Sequence, residues 1–217
     1  MEIKKDELKF NNIMNKCYQI EGKDFWDSRS SAVSGVIFAW RKSDLYPHVL
    51  VSKRGPHSAD FKGAMNVTCG YIDWNESATD AMIRETWEEV GLNLYDILET
   101  KKDVINNLNQ PWYVASNPSQ NRQNITMRFG LCFTLEDNED FPKLSVEHNE
   151  VIGEVEEPQW IPFQDIDKYV WAFEHDIVIN NYLVYILNTP NFSLFKLFKK
   201  IMVWLFGKIT KLLKNKR

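Results

Sequence analysis

Residues 70–92, with the sequence GYIDWNESATDAMIRETWEEVGL, constrain this chain more than any other segment. Apolar or β-branched side chains recur there at the spacing i, i+3, i+4, i+7, which places them on one face of an α-helix that turns about 100° per residue. These side chains are Ile83, Thr86, Trp87 and Val90. We predict that this face is buried, so the segment should be a helix that packs against the rest of a domain.

The opposite side of the same predicted helix carries three carboxylates. Glu85, Glu88 and Glu89 share the spacing i, i+3, i+4, which brings them within a few ångströms of one another. Like charges so close destabilise a helix, and Arg84 is the near neighbour that could compensate. A hard divalent cation removes the conflict, because Mg²⁺ prefers oxygen ligands. The alternative is that these acids form an ordinary solvated face.

Predicted strands lie on both sides of this helix along the chain. Runs rich in Val, Ile and Phe indicate strands at residues 32–40, 48–52, 66–70, 125–134 and 159–162, and the first two should form a hairpin. A second helix is predicted over residues 165–188. This order favours an α+β fold or an α/β/α sandwich over an all-helical fold.

The charged and glycine residues of the central segment follow a family pattern. The pattern is G-x5-E-x7-R-E-U-x-E-E-x-G-U, where U is a bulky aliphatic residue, and the segment resembles the Nudix box. The matching positions are Gly70, Glu76, Arg84, Glu85, Glu88, Glu89, Gly91 and Leu92. The departure is Thr86 at the first U, a smaller side chain on the predicted buried face. The resemblance implies a Nudix-type α/β/α sandwich with a mixed sheet.

The same resemblance implies an enzyme that hydrolyses a pyrophosphate bond in a nucleoside diphosphate linked to another group, with Mg²⁺ or Mn²⁺. The implied metal ligands are Glu85, Glu88, Glu89 and Gly70. Glu76 can pair with Arg84 two turns later, and this pair would orient Glu85 for catalysis. Gly70 and Gly91 are expected where the chain turns tightly into and out of the helix, since glycine adopts positive φ without steric cost.

The general base is expected in the acidic loop before a Trp-Ile-Pro strand. Many members of the family carry a glutamate six residues before that tryptophan. Because Trp160 begins the Trp-Ile-Pro sequence here, the role falls on Glu154. Glu150 and Glu147 are substitutes, and Glu85 is itself a candidate base. Alternatively, the loop acids only solvate the surface.

Two residues outside the box are predicted to contact the substrate. Family members commonly have an arginine at the end of the strand before the box, which implies that Arg54 touches phosphate. Gln110, Pro111 and Trp112 match part of a motif of NADH pyrophosphatases in the family. Trp112 or Tyr113 could stack on a nucleobase. The alternative is that both rings cap the core.

The nucleotide substrate is not specified further by the sequence. ADP-ribose, NAD(H), nucleotide sugars and modified nucleoside triphosphates all agree with the resemblance. One alternative is a catalytically silent Nudix-fold module that binds nucleotides or regulates at a membrane, although the intact carboxylates argue against it. The other is an mRNA-decapping enzyme. That activity needs a basic RNA track, whereas residues 1–190 carry 30 acidic and 18 basic residues. A nucleic-acid partner is therefore not expected.

Residues 191–217 differ from the rest, with eight basic residues and no acidic residue. Apolar side chains recur there at alternating spacings of three and four. They are Phe195, Phe198, Met202, Leu205, Ile209 and Leu212. The pattern predicts a basic amphipathic C-terminal helix, which fits an anionic membrane surface. The alternatives are docking on the domain, pairing in a homodimer, and contact with RNA.

The composition of the chain indicates its general class and its domain organisation. A hydrophobic content of 44% with 9 Gly and 8 Pro predicts a folded chain. We predict a lead-in over residues 1–30, a Nudix hydrolase domain over residues 31–188 and the helix over residues 191–217. The three cysteines are widely spaced, so neither a disulfide framework nor a zinc site is indicated. The first ten residues mix acidic and basic residues, so we expect no secretory signal there. We therefore expect a cytoplasmic protein, which is peripheral at a membrane if the C-terminal helix binds one.

Overall fold

A computed structural model describes residues 16–27, 31–101, 104–105, 108–116 and 125–189. The predicted amphipathic helix of residues 191–217 lies outside these ranges, as do residues 1–15 and 28–30 of the predicted lead-in. Among the residues described, no helix is long and apolar enough to span a membrane.

The described residues form a succession of short strands interrupted by helices. The strands are β1 (Lys16–Ile20), β2 (Lys23–Asp27), β3 (Ser31–Arg41), β4 (His48–Arg54), β5 (Met65–Asn66), β6 (Thr68–Tyr71), β7 (Val104–Ile105), β8 (Tyr113–Ser116), β9 (Ile125–Leu135) and β10 (Val155–Pro162). The α-helices are α1 (Ala78–Val90), α2 (Leu94–Thr100) and α3 (His175–Leu187), and a 3₁₀ helix covers Phe163–Lys168. The helix predicted from the acidic segment is therefore α1.

The main sheet is mixed. Its strand order is β10-β4-β3-β9-β7, and β5, β6 and β8 pair with β4, β3 and β9 respectively. β3 and β9 run parallel along their whole length, from Ser31 opposite Ile125 to Arg41 opposite Leu135. The pairings of β3 with β4 and of β4 with β10 are antiparallel. The predicted hairpin is confirmed, since β4 follows β3 and pairs with it directly.

Alternation along β3 divides the interior into two cores, because successive side chains of a strand point to opposite faces. Val33, Ile37 and Ala39 pack in the cluster that contains the buried residues of α1. Val36, Phe38 and Trp40 pack in the cluster that contains those of α3. The predicted α/β/α sandwich with a mixed sheet is thus confirmed.

The N-terminal lead-in contains a separate hairpin. β1 and β2 pair antiparallel with each other and form their own two-stranded sheet. The side chains described in it are exposed. Sequence patterning did not indicate these two strands, because the segment is polar and lacks a buried face.

The single helix predicted over residues 165–188 is wrong in one respect. The structure has the 3₁₀ helix first, then an irregular segment, and only then α3. In that segment the Val170 carbonyl accepts from the Met65 N–H at 2.8 Å, and the Ala172 N–H donates to the Met65 carbonyl at 2.9 Å. These bonds to β5 interrupt the helix, and Phe173 and Glu174 then adopt left-handed φ values of 54° and 57°.

Candidate functional site

The limits of α1 are fixed by capping interactions at both ends. Ser77 Oγ accepts from the Asp80 N–H at 3.1 Å, and Asp80 Oδ2 accepts from the Ser77 N–H at 3.3 Å, which makes a capping box. At the other end Gly91 adopts φ 66° and its N–H donates to the Trp87 carbonyl. The prediction that Gly91 ends the helix in a left-handed conformation is confirmed. The two caps fix where the helix begins and ends, and thus which residues lie on its acidic side.

The predicted buried face of α1 packs against the sheet. Ile83, Thr86 and Val90 are at most 2% exposed, while Trp87 is half-buried and stacks on His148 with ring centroids 4.1 Å apart. The hydroxyl of Thr86 donates to the Met82 carbonyl at 2.8 Å. The departure from the family pattern is accommodated, because this bond satisfies the buried hydroxyl.

The acidic side of α1 faces a cleft of about 280 Å³ rather than open solvent. The opposite walls are β6 and the loop that leads into β10. Six carboxylates line it: Asp73, Glu85, Glu88, Glu89, Glu150 and Glu154. The side chains of Glu85 and Glu88 are only 13% and 15% exposed, and Glu89 is 8% exposed. An ordinary solvated helix face is therefore not what these acids form.

Arg84 is the cationic partner of this cluster. Its Nε and Nη2 donate to the two carboxylate oxygens of Glu76 at 3.0 and 2.8 Å, which confirms the predicted pair. Its Nη1 donates to Glu85 Oε1 at 2.9 Å and to Glu88 Oε2 at 3.0 Å, and Nη2 also donates to the Tyr71 carbonyl. Burial alone would lower the pKa of Arg84, but its hydrogen bonds and ion pairs with these glutamates raise it. One buried cation thus fixes three carboxylates.

Arg84 does not neutralise the cluster completely. Burial raises the pKa of Glu85 to about 8, with Arg84 opposing the rise and Glu88 and Glu154 adding to it. Burial likewise raises the pKa of Glu89 well above its usual range, and Glu85 adds to the rise. Glu89 Oε2 accepts from the Cys69 N–H at 3.2 Å. The cleft therefore binds either protons or another cation more readily than isolated carboxylates would.

Glu154 lies in the loop immediately before β10, on the wall opposite α1. Burial raises its pKa, Arg54 opposes the rise and Glu150 adds to it. Because Glu154 also raises the pKa of both Glu85 and Glu89, the three carboxylates act on one another across the cleft. Glu150 lines the same cleft, whereas Glu147 is exposed and is not among its lining residues.

The position of Gly70 corrects one prediction. It lies within β6 without a positive φ, so it is not a turn into the helix. A Cβ on Gly70 would lie 2.0 Å from Glu85 Oε1. A side chain at this position would displace the carboxylate of Glu85, which packs directly against the strand backbone.

The comparison with known families agrees with this geometry. A family model described as the NUDIX domain matches residues 29–182. The chain belongs to the NUDIX domain family. The resemblance drawn from the acidic helix is thus confirmed, and the match extends well beyond the box to both sides of the sheet.

Solved structures with the same fold are distant in sequence. A MutT/nudix family protein from Enterococcus faecalis has a TM-score of 0.53 and 17% identity, covering 79% of this chain and 68% of that chain. The Nudix hydrolase RenU from M. smegmatis has a TM-score of 0.52 and 14% identity, covering 82% and 97%. A C. elegans Ap4A hydrolase has a TM-score of 0.51 and 14% identity, covering 73% and 98%. No curated protein matches the sequence.

The donor set of this Nudix domain fits a hard divalent cation in kind. Six carboxylates line the cleft, and oxygen atoms are the ligands that Mg²⁺ prefers. Among the residues described, however, no three Asp, Glu, His or Cys side chains already converge on one point. Arg84 Nη1 instead holds one oxygen of Glu85 and one of Glu88. Metal binding by Glu85, Glu88, Glu89 and Gly70 stays a prediction.

Neither predicted substrate contact lines the cleft, but the charge of Arg54 opposes the rise in the pKa of Glu89 and of Glu154. Arg54 is 8% exposed, its Nε donates to the Asp60 carbonyl at 2.8 Å, and its guanidinium lies over the ring of Phe173. Trp112 packs in the core on the α3 side, and its Nε1 donates to the Phe129 carbonyl at 3.2 Å. The geometry thus agrees with the alternative that Trp112 caps the core, while substrate contact by Arg54 stays a prediction.

Other residues of the cleft were not indicated by the sequence. Asp73 lines it, and its N–H donates to Glu76 Oε1 at 2.6 Å. His57 and Asn149 line it from two loops that are distant in sequence. Cys69 also lines it, and burial raises the pKa of its thiol, so it fits the role of a packing residue rather than a nucleophile. A short family motif carries no signal for such loop residues.

Proposed function

We propose that this Nudix domain hydrolyses the pyrophosphate bond of nucleoside diphosphate-linked compounds of the ADP-ribose, NAD(H) or nucleotide-sugar type, and that it requires Mg²⁺ or Mn²⁺. The observation that carries the proposal is the meeting of Glu85, Glu89 and Glu154 in one cleft with raised pKa values. Buried carboxylates without full compensation are costly, and perturbed groups of this kind cluster at functional sites.

The residues of α1 would bind the cation. Glu85, Glu88 and Glu89 offer the oxygens, and Arg84 holds the first two in place through Nη1. When bound, the cation neutralises phosphate oxygens and lowers the pKa of the attacking water. The Cys69 N–H, which donates to Glu89 Oε2, limits the rotation of the third carboxylate.

Glu154 is our candidate for the general base. It faces the acidic side of α1 from the opposite wall, so it can accept a proton from a water held between the two walls. Burial raises its pKa above the ordinary value of a glutamate, and a raised pKa strengthens a carboxylate as a base. Glu85 is the alternative base, since it lines the same cleft and burial raises its pKa to about 8.

The test is hydrolysis by the full chain with Mg²⁺ of a panel that comprises ADP-ribose, NADH, a nucleotide sugar, nucleoside triphosphates and capped RNA, with products identified by mass. We expect one diphosphate-linked compound to be cleaved at the pyrophosphate, and chelation of the metal to abolish cleavage. Glu88→Gln should lower turnover by about a hundredfold or more. Glu99→Gln, at an exposed position near the end of α2, is the matched control and should not change it.

Two results would contradict the proposal. One is unchanged turnover of Glu88→Gln with its fold intact. The other is tight binding of a panel compound, measured by calorimetry, without any cleavage. The second result would instead favour a catalytically silent module that binds nucleotides.

A further inference from the structure

The turn that carries Glu154 rests on the loop that follows β4, residues 55–58. The Glu154 carbonyl accepts two hydrogen bonds from this loop, one from the Gly55 N–H at 2.7 Å and one from Ser58 Oγ at 2.6 Å. A carbonyl oxygen has two lone pairs, so both are used. Ser58 is 2% exposed and is not among the residues that line the cleft. Its hydroxyl therefore acts on the backbone of Glu154 from behind the site.

His57 holds the two residues before Glu154. Its N–H donates to the Gly153 carbonyl at 3.0 Å. Its Nδ1 lies 2.6 Å from the Ile152 carbonyl, and since a carbonyl can only accept, that nitrogen carries the proton. The turn is closed internally by the Glu154 N–H, which donates to the Val151 carbonyl at 3.0 Å. Consecutive carbonyls of the turn are thus held by one short loop.

The two segments approach so closely that side chains would separate them. A Cβ on Gly55 would lie 2.2 Å from the Gly153 carbonyl oxygen. Gly153 itself has φ 80°, a left-handed conformation that glycine adopts at no steric cost. The contact is therefore made backbone to backbone, which leaves little freedom for the turn to move relative to the loop.

The loop is in turn anchored to the sheet. Arg54 is the last residue of β4 and precedes the loop directly, and it pairs with Val155 at the start of β10. Arg54 Nε also donates to the Asp60 carbonyl beyond the loop, and the Ser58 N–H donates to the Gly55 carbonyl at 3.2 Å. The backbone of Glu154 is consequently held by hydrogen bonds to β4 and the loop that follows β4. Its position does not depend on the acidic loop that precedes Glu154 in the chain. β4 itself lies in the interior of the sheet, between β10 and β3.

We infer that Ser58 is a positioning residue that fixes Glu154 in the cleft through the backbone, so that the base presents its carboxylate at one distance from the acidic side of α1. This inference rests on the proposed function. Small displacements of a catalytic group cost large factors in rate. Because the Ser58 hydroxyl donates to the Glu154 carbonyl and Ser58 does not line the cleft, it affects the reaction through Glu154.

The test is a double-mutant cycle on hydrolysis by the full chain. Ser58→Ala should lower kcat by about tenfold and leave KM within about twofold, because the change displaces the base without touching bound substrate. In the Glu154→Gln background the same change should alter kcat by less than about twofold, since the group it positions is already gone. An equal loss of kcat in both backgrounds would overturn the inference, as would full activity of Ser58→Ala.

Ser52→Ala is the matched control. Ser52 is also a buried serine, on β4, but its hydroxyl donates to Asn66 Oδ1 at 3.1 Å instead of to a carbonyl of the Glu154 turn. Amide hydrogen exchange supplies a second readout. Ser58→Ala should speed exchange at residues 151–155 and Ser52→Ala should not; equal protection in the two variants would overturn the inference.

The outcomes separate the two proposals. If wild-type protein cleaves a panel compound but Glu154→Gln is fully active, the inference fails and the proposed hydrolase stands. If the wild-type protein cleaves nothing in the panel, the proposed function fails, and hydrogen exchange alone decides whether Ser58 fixes the turn.

Discussion

α1 and α3 have thirteen residues each and cover opposite faces of the same sheet, but they bury different chemistry. α1 buries Arg84 and Glu89 together with its apolar residues. Apart from His175 at its start, α3 buries apolar and aromatic side chains. Because buried charge is costly, the α3 side is the one built for stability. The α1 side keeps buried carboxylates, although apolar residues there would give a more stable fold.

The largest expected effect is a loss of activity on the α1 side without a loss of stability. Glu89→Gln keeps the shape of the side chain and removes its charge. We expect turnover to fall on the order of a thousandfold, while the melting temperature stays the same or rises because a strained carboxylate is gone. Steady-state kinetics and thermal melts of the same preparation measure both. A stability loss without a loss of turnover would mean that Glu89 is structural.

The next effect belongs to the α3 side. Tyr182 is fully buried and stacks on Phe38 with centroids 5.5 Å apart. Tyr182→Ala should lower the free energy of unfolding by about 3 kcal/mol, with kcat per folded molecule changed less than about threefold. Val184→Ala, at a 58% exposed position on the same helix, is the control and should cost under about 0.5 kcal/mol. Urea unfolding separates the two; comparable losses would remove the contrast between the helices.

The smallest effect concerns pH, to which the two sides should respond in opposite directions. The folded pKa of Glu85, about 8, lies above its ordinary value, so the folded state holds an extra proton and stability falls as pH rises toward 8. Burial lowers the pKa of His175 to about 3, so the unfolded state binds the extra proton and stability falls as pH drops below about 6.5.

Each slope can be removed by its own variant. Glu85→Gln should flatten the loss of stability that occurs as pH rises from about 4.5 to about 8. His175→Asn, which keeps an acceptor for the Val67 N–H, should flatten the loss that occurs as pH drops below about 6.5. Within these windows the unfolding free energy of wild type should change by up to about 1.4 kcal/mol per pH unit relative to each variant. Mg²⁺ should also offset the loss at rising pH, since metal displaces the proton. Parallel pH profiles of wild type and both variants would contradict these assignments.

The α1 side was the more predictable of the two. Residues 77–90 combine helical periodicity with capping residues and charged residues at fixed spacing, so the helix, its buried face and the Glu76–Arg84 pair follow from local sequence. The contacts of Arg84 with Glu88 and with the Tyr71 carbonyl do not, because they depend on how β6 lies beside the helix. The role of Gly70 was missed for the same reason.

The α3 side depends on contacts that local patterns do not encode. Nothing in the sequence of residues 165–188 marks a break by Gly or Pro, and the segment is interrupted because its backbone bonds to β5. β7 and β8 are too short for period-two alternation to be visible. Ser58 and His57 likewise gain their roles only from a turn almost a hundred positions later in the chain.

The parallel pairing of β3 with β9 governs when this protein can fold during its synthesis. A ribosome releases β3, the box helix and the first loops long before β9 exists to lie beside them, and a sheet centred on so distant a pair assembles slowly. Until that moment the cluster around the apolar face of α1 lacks the buried residues of β9. The nascent chain therefore exposes the apolar face of α1 while the roughly 45 residues from the end of α1 to the end of β9 are synthesised, and a chaperone would act in that interval.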